Sequence, residues 1–247
     1  MHRFFADEAG LENGTARLNA EDSAHALRVL RLEPGDEIEL VCADARHLAV
    51  IETADPAGVL VRVTSDLRMT EAKTRVILYQ GLPKADKMEL ITQKLTELGA
   101  DAIQPVAMER CVVKLDGKDA QKKTERWQKI AREAVKQCAR VAVPEVREAK
   151  KLSALAQELS QLDVLIVPWE DARDGSIRAC LAPLADKPDA RIGVLIGPEG
   201  GISPKEAKWL SEQIGGKLVT LGPRILRTET AAIAAVTMVM TLRWEME

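Results

Sequence analysis

The chain has 247 residues, 46% hydrophobic and 30% charged, with 35 Lys/Arg against 38 Asp/Glu for a formal net charge of −3. That balance fits a folded globular chain with one large core or two smaller ones and excludes a low-complexity or collagen-like sequence. No apolar run reaches the ~18 residues of a membrane-spanning helix, and Cys42, Cys111, Cys138 and Cys180 show neither metal-site nor disulfide spacing. The opening MHRFFADEAG lacks the apolar core of a secretory signal, so a cytoplasmic protein with no membrane partner is expected.

The first 70 residues read as short β segments: ARL (16–18), DEIELVC (36–42), HLAVIET (47–53) and VLVRVTSDL (59–67). Turn signals at Pro34-Gly35-Asp36 and at Asp55-Pro56-Ala57-Gly58 separate them, and one short helix is expected from about Asn19 to Leu30. Several short strands with one helix in so few residues point to a small β-barrel. The polar segment RMTEAKTR (68–75) reads as a linker.

After it, strands and helices alternate. VILYQ (76–80), AIQPVA (102–107), VLIVP (164–168), GVLIG (193–197) and LVTLG (218–222) are short apolar runs suited to a sheet covered on both faces. In the helix expected over 84–100, Met88, Ile91, Leu95 and Leu98 share one face, and Gly99 is a natural stop. In the helix expected over 120–140, Trp127, Ile130, Ala131, Ala134 and Cys138 face inward, while Lys122, Arg126, Lys129, Lys136 and Arg140 face out. SPKE (203–206) carries a helix start, with Ser203 as cap and Glu206 closing a capping box. The second part is therefore α/β with a mostly parallel sheet.

Charge is unevenly spread. Residues 1–70 hold 7 Lys/Arg against 13 Asp/Glu, and residues 110–151 hold 13 against 6. A basic stripe on an acidic chain can still bind phosphate, since repulsion is screened beyond roughly 8 Å. From charge alone, a solvated helix face is the simpler reading.

Ligands of an open parallel sheet bind at the carboxyl ends of its strands. Three loops begin there: VPWED (167–171), GPEGGIS (197–203) and GPRILRTET (222–230). Proline fixes φ and removes a donor, and glycine admits close approach of a ligand, so three such turns side by side would line a pocket for an adenine ring and a ribose. One Gly-Pro turn needs no function beyond joining a strand to a helix. Two, with Glu199, Arg224, Arg227 and Glu229 interleaved where charge is costly to bury unpaired, point to a site. Neither GxGxxG nor GxxxxGK[ST] is present. The three histidines, His2, His25 and His47, lie in the N-terminal part, which argues against a histidine base, although His25 stands near Arg28 and Arg31. No clustered metal-ligand spacing occurs, so no metal is expected.

LIGPEGGIS (195–203) and LGPRILRTETA (221–231), in that order, resemble the signature of the SPOUT methyltransferase superfamily. With RVLRLEPGD (28–36), KADKMELITQKLTELG (84–99), ERCVVK (109–114) and RWQKIAREAVKQCAR (126–140), the chain resembles the bacterial 16S ribosomal RNA uracil-N3 methyltransferases of the RsmE type along essentially its whole length. The resemblance implies a PUA-like RNA-binding β-barrel over 1–70 and an α/β SPOUT domain over 74–247, with a parallel sheet and a deep trefoil knot. It implies a homodimer that takes S-adenosylmethionine and methylates N3 of a uridine in the 16S rRNA of the small ribosomal subunit. A non-catalytic RNA-binding protein of the same fold, or a methyltransferase of another RNA position, are the alternatives.

On that resemblance Arg227, then Arg224, would stabilise charge developing on the uracil oxygens. Glu199 would accept a proton or orient an arginine, or merely complement a helix dipole. Cofactor contacts are expected from Leu195, Gly197, Gly200, Leu221, Gly222, Ile225, Leu226 and Thr230, with Pro168 and Trp169 as weaker candidates. RNA contacts are expected from Arg3, Arg28, Arg31, Lys84, Lys87 and Arg110. Thr228 and Thr230 are expected to cap the closing helix (229–244), whose mostly apolar surface suits a core or a dimer contact.

Overall fold

The computed structural model describes residues 1–42, 45–55, 57–68, 70–113 and 117–246. Pro56 of the expected turn, Met69 of the expected linker and Lys114 of the 109–114 motif lie outside these residues. The chain divides into two compact units, Met1–Glu71 with Ala139–Ala142, and Ala72–Cys138 with Val143–Glu247.

The first unit is a closed barrel of β1 (His2–Glu12), β2 (Thr15–Leu18), β3 (Glu37–Cys42), β4 (Ala45–Asp55) and β5 (Gly58–Asp66) in the order β1-β2-β5-β4-β3. Strand β1, which the sequence reading missed, closes the barrel by pairing parallel to β3 and antiparallel to β2. Its register with β2 shifts between Ala6 and Leu11, and such an irregularity erases the period-2 signal. Phe4, Ile38, Leu40, Ile51, Val59 and Val61 fill the interior. Helix α1 (Ala20–His25) is capped by Asn19, whose side chain accepts from Asp22 N at 2.9 Å, and one wider turn (Ala26–Leu30) continues it.

Glu71 binds the returning segment to this unit. Its carboxylate takes the Arg140 guanidinium at 2.8 Å and the backbone N–H of Val141 at 2.7 Å. Arg140 is therefore buried, not on the solvent face of a helix as the periodicity implied. The helix ends at Cys138, and the left-handed φ of +66° at Ala139 turns the chain away.

The second unit contains, in order, β6 (Arg75–Gly81), α2 (Lys87–Glu97), β7 (Ala102–Ala107), α3 (Gly117–Cys138), β8 (Glu145–Val146), β9 (Lys150–Lys151), α4 (Ala156–Ser160), β10 (Val164–Pro168), α5 (Ile177–Leu181), β11 (Arg191–Ile196), α6 (Pro204–Glu212), β12 (Lys217–Val219) and α7 (Thr228–Leu242). The sheet order is β12-β10-β11-β6-β7-β8, with β9 also on β7, and every pairing is parallel. Side chains alternate across it. Leu78, Ile166 and Val194 pack with Met88, Trp127, Ile177 and Val236 of α2, α3, α5 and α7. Tyr79, Leu165 and Leu195 pack with Leu159 and Leu210 of α4 and α6. None of the described helices is long and apolar enough to cross a membrane.

The strand expected over 218–222 stops at Val219, so Leu221 and Gly222 lie in the loop. β12 is an edge strand paired only to β10, and its last partner is Pro168. Beyond it the Thr220 hydroxyl accepts from Gly222 N at 3.1 Å, and Gly222 turns the chain with φ +104°.

Candidate active site

Because β12, β10 and β11 are neighbours, their carboxyl-end loops open into one cleft of about 840 Å³, within the ~300–1,000 Å³ usual for small-molecule sites. Pro168 and Trp169 line it from the β10 loop, Gly197, Glu199 and Gly200 from the β11 loop, and Leu221, Gly222, Arg224, Ile225, Leu226 and Arg227 from the β12 loop. Two residues expected at the cofactor fall outside the lining. Leu195 is fully buried within β11, its side chain in the cluster with Tyr79, and Thr230 is exposed on α7. Glu170, Arg173 and Thr228 also line the cleft, and sequence reasoning singled out none of them for the cofactor.

The β11 loop owes its shape to local bonds. Gly201 has φ +71°, and its N–H donates to Pro198 O at 2.9 Å. A side chain at Gly201 would meet the exposed Glu170 carboxylate, which would have to swing aside, and the left-handed φ is itself strained for any other residue. Trp169 Nε1 donates to Ile202 O at 3.2 Å and ties the β10 loop to the β11 loop. The capping box forms as the sequence implies, with Ser203 Oγ accepting from Glu206 N and Glu206 accepting from Ser203 N, both at 3.2 Å.

A charged triad closes one side. Lys87 Nζ lies 2.9 Å from Glu199 Oε1 and 3.2 Å from Glu229 Oε2, and Lys84 N donates to Glu199 at 3.0 Å. Burial pushes the Glu199 carboxyl up, but Lys87 and the backbone donors outweigh it and hold the group below the ordinary glutamate range. Glu199 in turn raises the Lys87 ammonium, with Glu229 adding to the effect. Glu199 is thus an ionised carboxylate bound to a lysine, with no arginine on it among the described contacts.

Thr228 does not cap α7. Its buried hydroxyl donates to Gly197 O at 2.7 Å and accepts from Gln80 Nε2 at 2.9 Å, pinning the start of α7 to the end of β11. Arg227 holds the cap position, and neither Thr228 nor Thr230 makes a side-chain cap bond. Arg224 and Arg227 are exposed in the cleft, and neither guanidinium has a hydrogen-bond or ion-pair partner among the described residues.

The residues expected at RNA divide. Arg3 is not a surface cation, because the parallel β1–β3 register sets it beside Glu39. Its buried guanidinium pairs with Glu39 and donates to Arg140 O at 2.9 Å. Arg28 and Arg31 are exposed on the first unit. Lys84 is exposed, Lys87 is held in the triad, and Arg110 donates to Gly200 O at 3.0 Å. Among the described residues no group of three or more His, Cys, Asp or Glu side chains is arranged to hold a metal.

Residues 70–240 match the RNA methyltransferase domain family. The chain is 39% identical over 245 residues to the ribosomal RNA small subunit methyltransferase E of Bacillus subtilis (strain 168), covering 95% of this chain and 94% of that protein. A crystal structure of the Neisseria gonorrhoeae ribosomal RNA small subunit methyltransferase E bound to S-adenosyl methionine is 32% identical, covers 98% of each chain and superposes with a TM-score of 0.76. A Legionella pneumophila methyltransferase in complex with the same cofactor is 32% identical over 97% of this chain and 96% of that one, with a TM-score of 0.78. The closed barrel and the α/β unit with its parallel sheet are the PUA-like and SPOUT architectures that the resemblance implies. The chain belongs to the RNA methyltransferase family that includes the ribosomal RNA small subunit methyltransferase E proteins.

Proposed function

We propose that this chain uses S-adenosylmethionine to methylate N3 of a uridine in the 16S rRNA of the small ribosomal subunit. The observation that carries the reading is the cleft itself, where Arg224 and Arg227 stand without partners among the described residues beside the two Gly-Pro loops. The chain's relatives at 32% identity are methyltransferases with S-adenosylmethionine bound.

The residues present fit that cofactor. Trp169, Ile202, Leu221 and Leu226 offer apolar wall for an adenine, and the backbone of Gly197 and Gly200 is open to it. The Glu170 carboxylate, with no cation on it among the described residues, suits ribose hydroxyls or a cationic ligand. The cofactor supplies an electrophilic methyl group, so the chain's own task is to align the base and ease loss of the N3 proton. Arg227, with Arg224 beside it, stabilises the charge that develops on the uracil oxygens, as oxyanion-hole donors do. Glu199 is fixed by Lys87 and stays ionised, which suits it to orienting the Lys87 ammonium at the cleft wall.

On this reading residues 1–70 are an RNA-binding domain, residues 74–247 are the catalytic domain, and the protein works in the cytoplasm as a homodimer. Exposed Met238 (42%) at α7 and Trp244 (74%) just beyond it support an apolar contact there between two copies. Calorimetry tests the core of the proposal. Saturable binding of S-adenosylmethionine is expected, and its absence in the wild-type protein would contradict an enzymatic role in favour of simple RNA binding.

A further inference from the structure

The surface of α3 carries more cations than its own stability calls for. Lys122, Lys123, Arg126, Lys129 and Arg132 are all exposed, opposite the buried Trp127, Ala131 and Ala134. Cations recur there about once per helical turn, ~5.4 Å apart along the axis. Arg126 reaches Glu89 of α2 at 2.7 Å. Lys122, Lys123, Lys129 and Arg132 have no hydrogen-bond or ion-pair partner among the described residues.

A helix face built only for solvation sets opposite charges three or four positions apart. Glu125 and Glu133 give Lys122 and Lys129 such neighbours, but Lys122 and Arg126, Arg126 and Lys129, and Lys129 and Arg132 are like-charged pairs at the same spacings, and the face keeps a positive excess. Arg126 pairs with Glu89 on α2, the helix whose first residue, Lys87, lines the cleft. Of the cations expected at RNA, Arg3 is buried and Lys87 and Arg110 are bonded within the protein. Arg28, Arg31 and Lys84 stay exposed, and α3 adds a run of exposed cations along one helix face. The apolar side of this helix is buried in the core, so it lacks the bulky exposed side chains of a membrane-surface helix.

We propose that the exposed face of α3 is a docking surface for the phosphate backbone of the rRNA substrate, on the same unit as the reactive cleft. This rests on the methyltransferase reading for the identity of the RNA. The test compares the full-length protein with K122Q/K129Q/R132Q and K122E/K129E/R132E, using purified bacterial small ribosomal subunits as the probe across ~50–200 mM salt. The glutamine variant is expected to bind about tenfold more weakly, with the slope of log K against log salt shallower by about 2, since each lost phosphate contact removes ~0.7–0.9. The glutamate variant is expected to bind more weakly still, and both should keep the wild-type melting temperature and S-adenosylmethionine affinity. An unchanged affinity and slope would overturn the proposal, as would wild-type protein that binds anionic phosphatidylserine vesicles but not subunits. If the variants lose subunit binding while no form of the protein takes S-adenosylmethionine, the surface stands and the methyltransferase reading falls.

Discussion

The Nζ of Lys87 lies 2.9 Å from Oε1 of Glu199, and this contact joins the first turn of α2 to the loop after β11. Lys87 also reaches Glu229 in the first turn of α7, so one side chain ties three elements at the edge of the cleft. Lys87→Met leaves two carboxylates facing each other without their cation. Lys87 and Glu199 side chains are each 26% exposed, so solvent screens the pair, and the expected loss of stability is only about 1 kcal/mol. The expected loss of S-adenosylmethionine affinity is larger than that, because Glu199 no longer fixes its loop, and Lys87→Arg should restore part of it. Denaturant unfolding and calorimetry on the two variants separate these effects.

Thr228→Val keeps the shape of the side chain and removes a hydroxyl that is bonded on both sides, to Gly197 O and Gln80 Nε2. Buried groups that lose their partner cost ~1–3 kcal/mol each, so a destabilisation of about 2 kcal/mol is expected from chemical denaturation. Thr228→Ser should recover most of it. A Val variant as stable as the wild type would show that the hydroxyl does not fasten α7 to β11.

Gly201→Ala combines two penalties, a left-handed φ of +71° and overlap with the Glu170 carboxylate. The backbone part costs about 1–2 kcal/mol. The Glu170 part is removable, so Glu170→Ala should relieve the double variant, giving a favourable coupling energy in a double-mutant cycle. Additive effects would mean that the Glu170 carboxylate does not rest against Gly201 in solution.

Acid should weaken the barrel unit. Burial alone would raise Glu71 and Glu39, but the bonds and charge of Arg140 at Glu71, and of Arg46 and Arg3 at Glu39, hold both below the ordinary value of 4.5. Their contribution to stability is therefore complete above pH 4.5 and is lost as pH falls through their lower folded values. Glu71→Gln is expected to destabilise the protein clearly at neutral pH and to differ less from wild type in strong acid. Unfolding midpoints of both proteins across that range check the sign, and a gap that widens on acidification would contradict it.

The sheet of the second unit was legible because strands covered on both faces are short apolar runs, as at 76–80 and 102–107, and these coincide closely with β6 and β7. The three loops of the cleft were legible for a related reason, since Gly-Pro turns after such runs mark carboxyl ends of strands. Strand β1 was not legible, because its irregular register hides the alternation and only Phe4 among its hydrophobic residues is deeply buried. The short end of β12 depends on Pro168 in a neighbouring strand, which no local pattern at 218–222 encodes. The partners of Arg3, Arg140, Lys87 and Thr228 lie far from them in sequence, and tertiary pairing turned two expected surface arginines into buried ones. A polar side chain at the head of an apolar helix was the available signal for Thr228, but it points equally to capping.

The most direct measurement maps methylated nucleotides by mass in 16S rRNA from a strain lacking this chain and from that strain complemented with wild type or Arg227→Ala. N3-methyluridine should be absent without the protein and restored by the wild type. The Arg227→Ala variant should fail to restore it while binding S-adenosylmethionine nearly as well. N3-methyluridine that persists in the deletion strain, or that returns in full with Arg227→Ala, would contradict the assigned reaction and the role of this arginine.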